Sequence, residues 1–270
     1  EDSGTYETNR ERQLSLNGEA VKLQKILEEN KEQQTRNLKI CVNTNQEYEF
    51  TVEGTALDRF RADIFGKAKI SDMTLQEKNS SAKEIMDYLE GEEKFCLTSE
   101  GGKSYSQTEK MQYGLSDSYT KDEKLEILSI RYSLSLNAYQ KYLPVVIAQD
   151  VSEQTATAVM EQGDTLTGAE ISQESIRYYE GGEAMSSIVG YTGKISREEL
   201  EEKGEPYTLN SIVGKAGMEQ YLDGELFGAD GSREVYVNNT GKVLYESKTI
   251  KEPSVGKDVW LTIDKDLQIE

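Results

Sequence analysis

The chain has 270 residues, 36% of them apolar and 30% charged; 31 basic side chains stand against 50 acidic ones, for a net charge of -19. That composition fits a soluble chain with one large or two small domains, and its charge argues against nucleic-acid phosphates and anionic membrane surfaces as partners. Histidine is absent, which excludes Ser-His-Asp and Cys-His catalysis within the chain and removes the commonest metal ligand.

In chain order, residues 18 to 34 read as an amphipathic helix, with Ala20, Leu23, Ile26, Leu27 and Asn30 as its stripe and Asn17 as its cap. Residues 38 to 52 alternate like two strands around Asn43-Thr44-Asn45. A short helix over 55 to 66 turns Leu57, Phe60, Ile64 and Phe65 inward. Ser81-Ala82-Lys83-Glu84 has capping-box spacing and opens a helix that carries Ile85, Met86 and Leu89 and closes at Gly91. Residues 99 to 119 lack periodicity and read as an exposed loop or weak hairpin. Thr120-Lys121-Asp122-Glu123 is a second capping box. It starts the longest helix, 121 to 142, with Leu125, Leu128, Tyr132, Leu136 and Tyr139 on one face. Pro144 ends it.

Val145-Val146-Ile147-Ala148 is then expected as a buried strand, and Ser152 caps a helix running to about Met160. Residues 163 to 193 are glycine-rich and read as short strands and turns. Ser196-Arg197-Glu198-Glu199 is a third capping box, whose helix stops at Gly204 and presents Glu198, Glu199, Glu201 and Glu202 as a solvated face. A helix is expected from Lys215 to Phe227, with Met218, Tyr221, Leu222 and Leu226 on one side. A hairpin follows over 233 to 247, turning at Asn238-Asn239-Thr240-Gly241, and a last strand over 258 to 263. Long helices first and hairpins later imply an α+β fold, with antiparallel or mixed strands and several helices.

The residues give little support to catalysis. Serine-acylating enzymes that bind penicillin use S-x-x-K, S-x-N and K-T-G. Ser80 to Lys83, Ser118 to Lys121 and Ser254 to Lys257 match the first pattern, about as often as chance allows in a chain with this much serine and lysine. Ser15-Leu16-Asn17 and Ser135-Leu136-Asn137 match the second. No K-T-G occurs, the nearest approach being Lys248-Thr249-Ile250. Val213-Gly214-Lys215-Ala216-Gly217 lacks the spacing and the hydroxyl of a phosphate-binding loop and reads as a tight entry into a helix. Cys41 and Cys96 have no C-x-x-C spacing and sit in apolar, strand-like contexts, which favours two buried thiols over a disulfide or a zinc site. Arg177, with Tyr178 and Tyr179 beside it, is equally a stacked surface arginine or a buried structural one, and Arg131-Tyr132 allows the same two readings. No apolar run approaches the roughly 20 residues of a membrane span. A start at Glu1 without methionine is expected of an excised piece of a longer protein.

Several blocks, in order, resemble the non-catalytic N-terminal region of class B penicillin-binding proteins, the peptidoglycan transpeptidases. Ile130-Arg131-Tyr132-Ser133-Leu134-Ser135, followed by Val146-Ile147-Ala148, is similar to the segment leaving that family's head lobe. Arg177-Tyr178-Tyr179 resembles its R-x-Y-P pattern, with Glu180 in place of proline. Gly190-Tyr191-Thr192-Gly193 resembles its GYVG-type block, and Gly214-Lys215-Ala216-Gly217-Met218-Glu219 its G-K-S-G-[IL]-E block, with Ala216 for the serine. Leu226, Gly228 and Gly231 match L-x-G-x-x-G. Leu261-Thr262-Ile263-Asp264 and Leu267-Gln268 match the family's entry to the transpeptidase domain. The match is strong from about 125 to 270 and weak before it.

The resemblance implies a bilobed pedestal-and-head region. Residues 1–144 would be mostly head, 145–258 the pedestal-type half and 259–270 the start of a linker into a transpeptidase domain. It implies no catalytic, cofactor or metal site in this stretch. Arg131, Arg177, Tyr179, Gly190, Gly193, Gly214, Lys215, Gly217, Glu219 and Asp264 would be structural motif residues. It further implies a place on the extracytoplasmic face of a bacterial membrane, with the parent anchored by a helix outside this chain. The implied partners are the chain's own transpeptidase domain and a RodA/FtsW-type glycosyltransferase. Two other readings stay open on sequence: a secreted binding module, such as a surface lipoprotein domain, and a small hydrolase or acyltransferase.

Overall fold

The computed structural model describes residues 8–97, 105–137, 143–173, 176–208, 211–237 and 243–269. Among them the elements run α1 (Asn9–Glu29), β1 (Ile40–Val42), β2 (Tyr48–Phe50), α2 (Gly54–Ile64), α3 (Leu75–Asn79), α4 (Ala82–Glu90), α5 (Gln107–Tyr113), α6 (Lys121–Leu136) and α7 (Glu153–Glu161). Then follow α8 (Gly182–Val189), β3 (Thr192–Lys194), α9 (Arg197–Lys203), β4 (Ile212–Gly214), α10 (Gly217–Tyr221), α11 (Asp223–Leu226), β5 (Ser232–Val237), β6 (Val243–Lys251) and α12 (Lys265–Ile269). The strands pair as β1-β2, β3-β4 and β5-β6, the first two antiparallel. The fold is α+β, with many helices and small sheets.

The chain divides into two compact units, the first running through Ile171 and the second from Ser172 through Val237 and from Leu244 on. Residues 145–171, which the sequence groups with the later half, therefore fold with the first unit.

Why the first helix starts where it does is a matter of local hydrogen bonding. Thr8 Oγ1 accepts from the Glu11 amide at 3.1 Å, and Glu11 returns a carboxylate to the Thr8 amide at 3.2 Å. This capping box places the start of α1 at Asn9, nine residues before the start expected at 18. Asn17 is thus no cap. It is fully buried inside the helix and donates from Nδ2 to the carbonyls of Phe95 (2.8 Å) and Cys96 (3.1 Å). The same device recurs. Thr74/Glu77, Ser81/Glu84, Ser106/Glu109, Thr120/Glu123 and Ser196/Glu199 each close a reciprocal box at the head of a helix. The Ser106 box creates α5 within the stretch read as loop or hairpin. Substituting Ser81 with alanine is expected to cost about 1 kcal/mol in urea unfolding of the first unit. Lys83→Ala, which loses an exposed pair with Asp87 at 2.6 Å, should shift the midpoint much less; equal losses from both would contradict the capping account.

The core of the first unit forms where α1, α4 and α6 bring Leu14, Val21, Ile85, Leu89, Leu125 and Leu128 together, all essentially inaccessible to water. Each contributes about 1.5–3 kcal/mol by burial. Phe60 packs edge-on against Tyr132 at 6.0 Å between ring centres, so α2 and α6 share one wall. The face expected for α6 is buried at Leu125, Leu128 and Tyr132, while Leu136 is half exposed; Tyr139 lies outside the described residues. Residues 145–148 form no buried strand. Only a single bridge joins Ala148 to Gln34, and Val146 is half exposed. α7 begins at its Ser152 cap as expected. The Glu32 carboxylate accepts from the Ser152 amide, the Ser152 hydroxyl and the Thr155 hydroxyl at 2.7–2.8 Å, fastening this helix to the chain after α1. Cys96 is buried, Cys41 half-buried, and both are free thiols.

Candidate functional site

Nine of the ten motif residues lie in the second unit. Their frame is the antiparallel pair β3-β4, registered Thr192 to Gly214, Gly193 to Val213 and Lys194 to Ile212. The Lys215 amide donates to the Tyr191 carbonyl at 2.8 Å and continues the pairing by one step. Val213 is buried beneath it. α8, which leads into β3, replaces part of the strands and turns expected over 163 to 193.

The C-terminal end of α8 meets the start of α10 through two glycines. Gly190 sits at φ +84°, and a Cβ there would stand 2.0 Å from the Ala216 carbonyl oxygen. Gly217, at φ +61°, would place a Cβ 2.5 Å from the Ile188 carbonyl oxygen. Both positions demand glycine twice over, for the left-handed backbone and for the closeness of the opposing chain. Gly193 lies under the Lys215 side chain, whose ammonium pairs with Glu199. That pair joins the motif block to the capping carboxylate of α9.

Arg177 reaches across this frame. Its Nη1 donates to the Leu226 carbonyl at 2.6 Å, and its Nε stands 3.3 Å from Glu219 Oε1. Glu219 is only 3% exposed, so the guanidinium compensates a buried carboxylate. Arg177 itself is neither fully buried nor stacked on the surface: its side chain is 31% exposed while its neighbours Ile176 and Tyr178 are exposed. The Tyr179 hydroxyl is buried near the same carboxylate but, like Glu219 Oε2, makes no hydrogen bond of ordinary geometry among the described residues. Burial first, and then Glu219, raises its phenol pKa above the ordinary value.

Asp264 N-caps α12. Its Oδ1 accepts from the amides of Asp266 (3.0 Å) and Leu267 (3.1 Å). Residues 258–263 before it form no strand, and Trp260 is 92% exposed. Arg131 belongs to the first unit, where it is buried, lies over the Phe95 ring at 5.1 Å and donates to Gln13.

Sequence reasoning missed the most connected residue of the cluster. The expected helix 215 to 227 breaks at Leu222 into α10 and α11, leaving Tyr221 80% exposed. The break turns Asp223 inward, 1% exposed. It accepts from the Gly214 amide (2.8 Å), Lys203 Nζ (2.7 Å) and the Tyr207 hydroxyl (2.8 Å). One carboxylate thereby joins β4, α9 and the loop after it. The one hint in the sequence is Gly224, a poor interior helix residue directly after it.

Burial alone would raise the Asp223 pKa, but Lys203, the Gly214 amide and Tyr207 together outweigh it and leave it below the ordinary 3.8. The Tyr207 phenol is pushed up to about 12, by burial first and then by Asp223. A depressed carboxyl stabilises the fold above its unfolded pKa and loses that contribution as pH falls through the folded value. A raised phenol stabilises below its unfolded pKa of 10.0 and loses the contribution as pH rises towards about 12. Stability of the second unit should therefore be flat across neutral pH and fall on both sides. Asp223→Asn should shrink the acid limb below 3.8 and Tyr207→Phe the alkaline limb above 10.0 in pH-dependent unfolding, the remainder belonging to groups such as Glu199 and Tyr179; limbs of undiminished size in these variants would refute the assignment.

The three S-x-x-K lysines have other partners. Lys83 pairs with Asp87, Lys121 donates to the Gln46 carbonyl at 2.6 Å and Lys257 pairs with Glu225 at 2.5 Å. Ser80 itself donates to the Gln76 carbonyl. Among the described residues no group of three or more acidic or cysteine side chains could hold a metal ion, and no helix is long and apolar enough to cross a membrane.

The family model described as the penicillin-binding protein dimerisation domain matches residues 5–261. Peptidoglycan D,D-transpeptidase MrdA of Escherichia coli (strain K12) is 36% identical over 106 residues, 37% of this chain and 17% of its own. Its namesake in Haemophilus influenzae is 33% identical over 135 residues, 47% and 20% of the two chains. Penicillin-binding protein 3 of Bacillus subtilis is 34% identical over 113 residues, 42% and 16%. The chain thus spans a fifth or less of the length of these relatives. Among solved structures, penicillin-binding protein 2B of Streptococcus pneumoniae (strain 5204) aligns with 93% of this chain and 35% of its own at 20% identity, with a TM-score of 0.42.

Proposed function

The chain belongs to the dimerisation-domain family of class B penicillin-binding proteins, and from that premise we propose that it is a non-catalytic positioning region of a peptidoglycan D,D-transpeptidase. It would hold a transpeptidase domain of the same polypeptide above the outer face of a bacterial membrane and present a surface to a RodA/FtsW-type glycosyltransferase. Residues 1–144 would serve mostly as head, 145–258 as pedestal, with 145–171 the part of it that folds with the first unit, and 259–270 as the start of the linker. The ten motif residues would act by fixing the shape of that support. The observation that carries this reading is the continuous family match across residues 5–261. Support comes from the chemistry of the second unit, where Glu219, Asp223, Lys203 and Lys215 are committed to one another's neighbours and to the backbone.

Two measurements test it. Fluorescent penicillin should leave the isolated chain unlabelled; a covalent adduct would overturn the non-catalytic assignment. Titration against a RodA/FtsW-type glycosyltransferase should give saturable binding or a changed polymerase rate. No binding together with an unchanged rate would remove the partner.

A further inference from the structure

We propose that α8 is the brace of the last helix, α12, and that the glycine contact between α8 and α10 sets where α12 sits. The inference rests on the positioning role above and gives it a mechanical route.

α8 is anchored at both ends. Its C-terminal end is clasped against the start of α10, where Gly190 and Gly217 let two backbones approach so closely that neither site has room for a Cβ. Its N-terminal end meets α12. Gln268 Nε2 donates to the Ala184 carbonyl across 3.4 Å, and the aliphatic stem of Lys265 lies within 3.5 Å of where a Gly181 Cβ would stand. Met185, buried on the inner side of α8, folds back against Gly181. An eight-residue helix is a rod of about 12 Å, so a tilt forced at one end is delivered at the other. α12 has little else to hold it. Its five residues are exposed, its turn is preformed by the Asp264 cap, and α8 is its principal packing neighbour. The other face of the clasp is tied by the pair between Arg177 and Glu219 of α10. The chain Arg177, Glu219, α10, Gly217/Gly190, α8, α12 is therefore one contiguous set of backbone and polar contacts within the second unit.

The test is ¹⁵N relaxation on the full chain. In the unaltered chain, amides of 265–269 should show order parameters close to the rigid value of ~0.85. Gly217→Ala, which wedges the clasp, should lower them below ~0.6 while the core amides of α1, α4 and α6 stay unmoved. Gln268→Ala cuts the brace at its far end. It should free α12 to the same degree and shift the Ala184 amide, yet leave the amides of Gly190, Gly214 and Gly217 in place. If Gly217→Ala unfolds the unit, the Gln268→Ala result decides alone. Mobile α12 amides in the unaltered chain, or rigid ones in both variants, would overturn the brace. Either result would leave the glycosyltransferase titration to judge the positioning role by itself.

Discussion

Asp223→Ala is expected to cost the second unit about 3 kcal/mol and to release the β3-β4 pair first. The carboxylate is buried and accepts from the Gly214 amide at 2.8 Å. Removing it strands a buried N–H, a loss of about 1–3 kcal/mol, and also breaks a hydrogen-bonded ion pair, where losses run to about 3–5 kcal/mol. The upper end does not apply, because the Lys203 side chain is more than a quarter exposed and can turn to water. Asp223→Asn retains an acceptor for Gly214 but surrenders the charge that faces Lys203, so about half the loss is expected. Urea unfolding gives the totals, and hydrogen exchange at Gly214 locates the event. An alanine variant within about 1 kcal/mol of the parent, with Gly214 still protected, would show that the three bonds are incidental.

Gly214→Ala is the second large effect, expected at about 3 kcal/mol for steric reasons alone. Gly214 has ordinary backbone geometry, yet a Cβ there would lie 2.1 Å from the Glu219 carbonyl oxygen and 2.2 Å from its carbon. The obstacle is backbone on both sides, so relief requires α10 to back away from β4. That movement would also draw Glu219 from Arg177 and Asp223 from the Gly214 amide. The matched control is Gly224→Ala, where a Cβ meets nothing within 4 Å and a gain of a few tenths of a kcal/mol is expected from helix propensity. Thermal unfolding separates the two cases. Equal behaviour of the two variants would refute the close approach of β4 and α10.

Of the helix starts that the sequence revealed, Ser81 and Thr120 have an apolar period behind the box, while Ser196 was legible from its box and the closing Gly204 alone. Thr8 is followed by Asn9-Arg10-Glu11-Arg12-Gln13, and the Ser106 helix buries none of its seven residues. Neither gives periodicity a purchase. Glycine misled in the opposite direction. Gly181-Gly182 and Gly190 read as turn residues, whereas they bracket α8 and serve its close contacts. Val259, Leu261 and Ile263 alternate as a strand should, but among the described residues none pairs with them as a strand, and pairing is a tertiary fact that alternation does not carry. The motif residues were found as blocks. What they do to one another, Arg177 spanning to Leu226 and Glu219, depends on contacts 42 and 49 positions apart in the chain. Asp223 was invisible for the same reason, since a buried acid and a surface acid look alike in a chain so rich in carboxylates.

The six capping boxes bear on how this protein could be re-engineered. Each seats a glutamate at the third position of a helix, where the positive end of the helix dipole and two backbone amides favour an anion. Part of the acidic excess is thus architectural. Any programme of surface neutralisation, for crystallisation or for tolerance of acid, should take carboxylates from last turns such as Glu201 and Glu202, where the dipole disfavours an anion. Trimming the six would unpick helix starts in both halves at once.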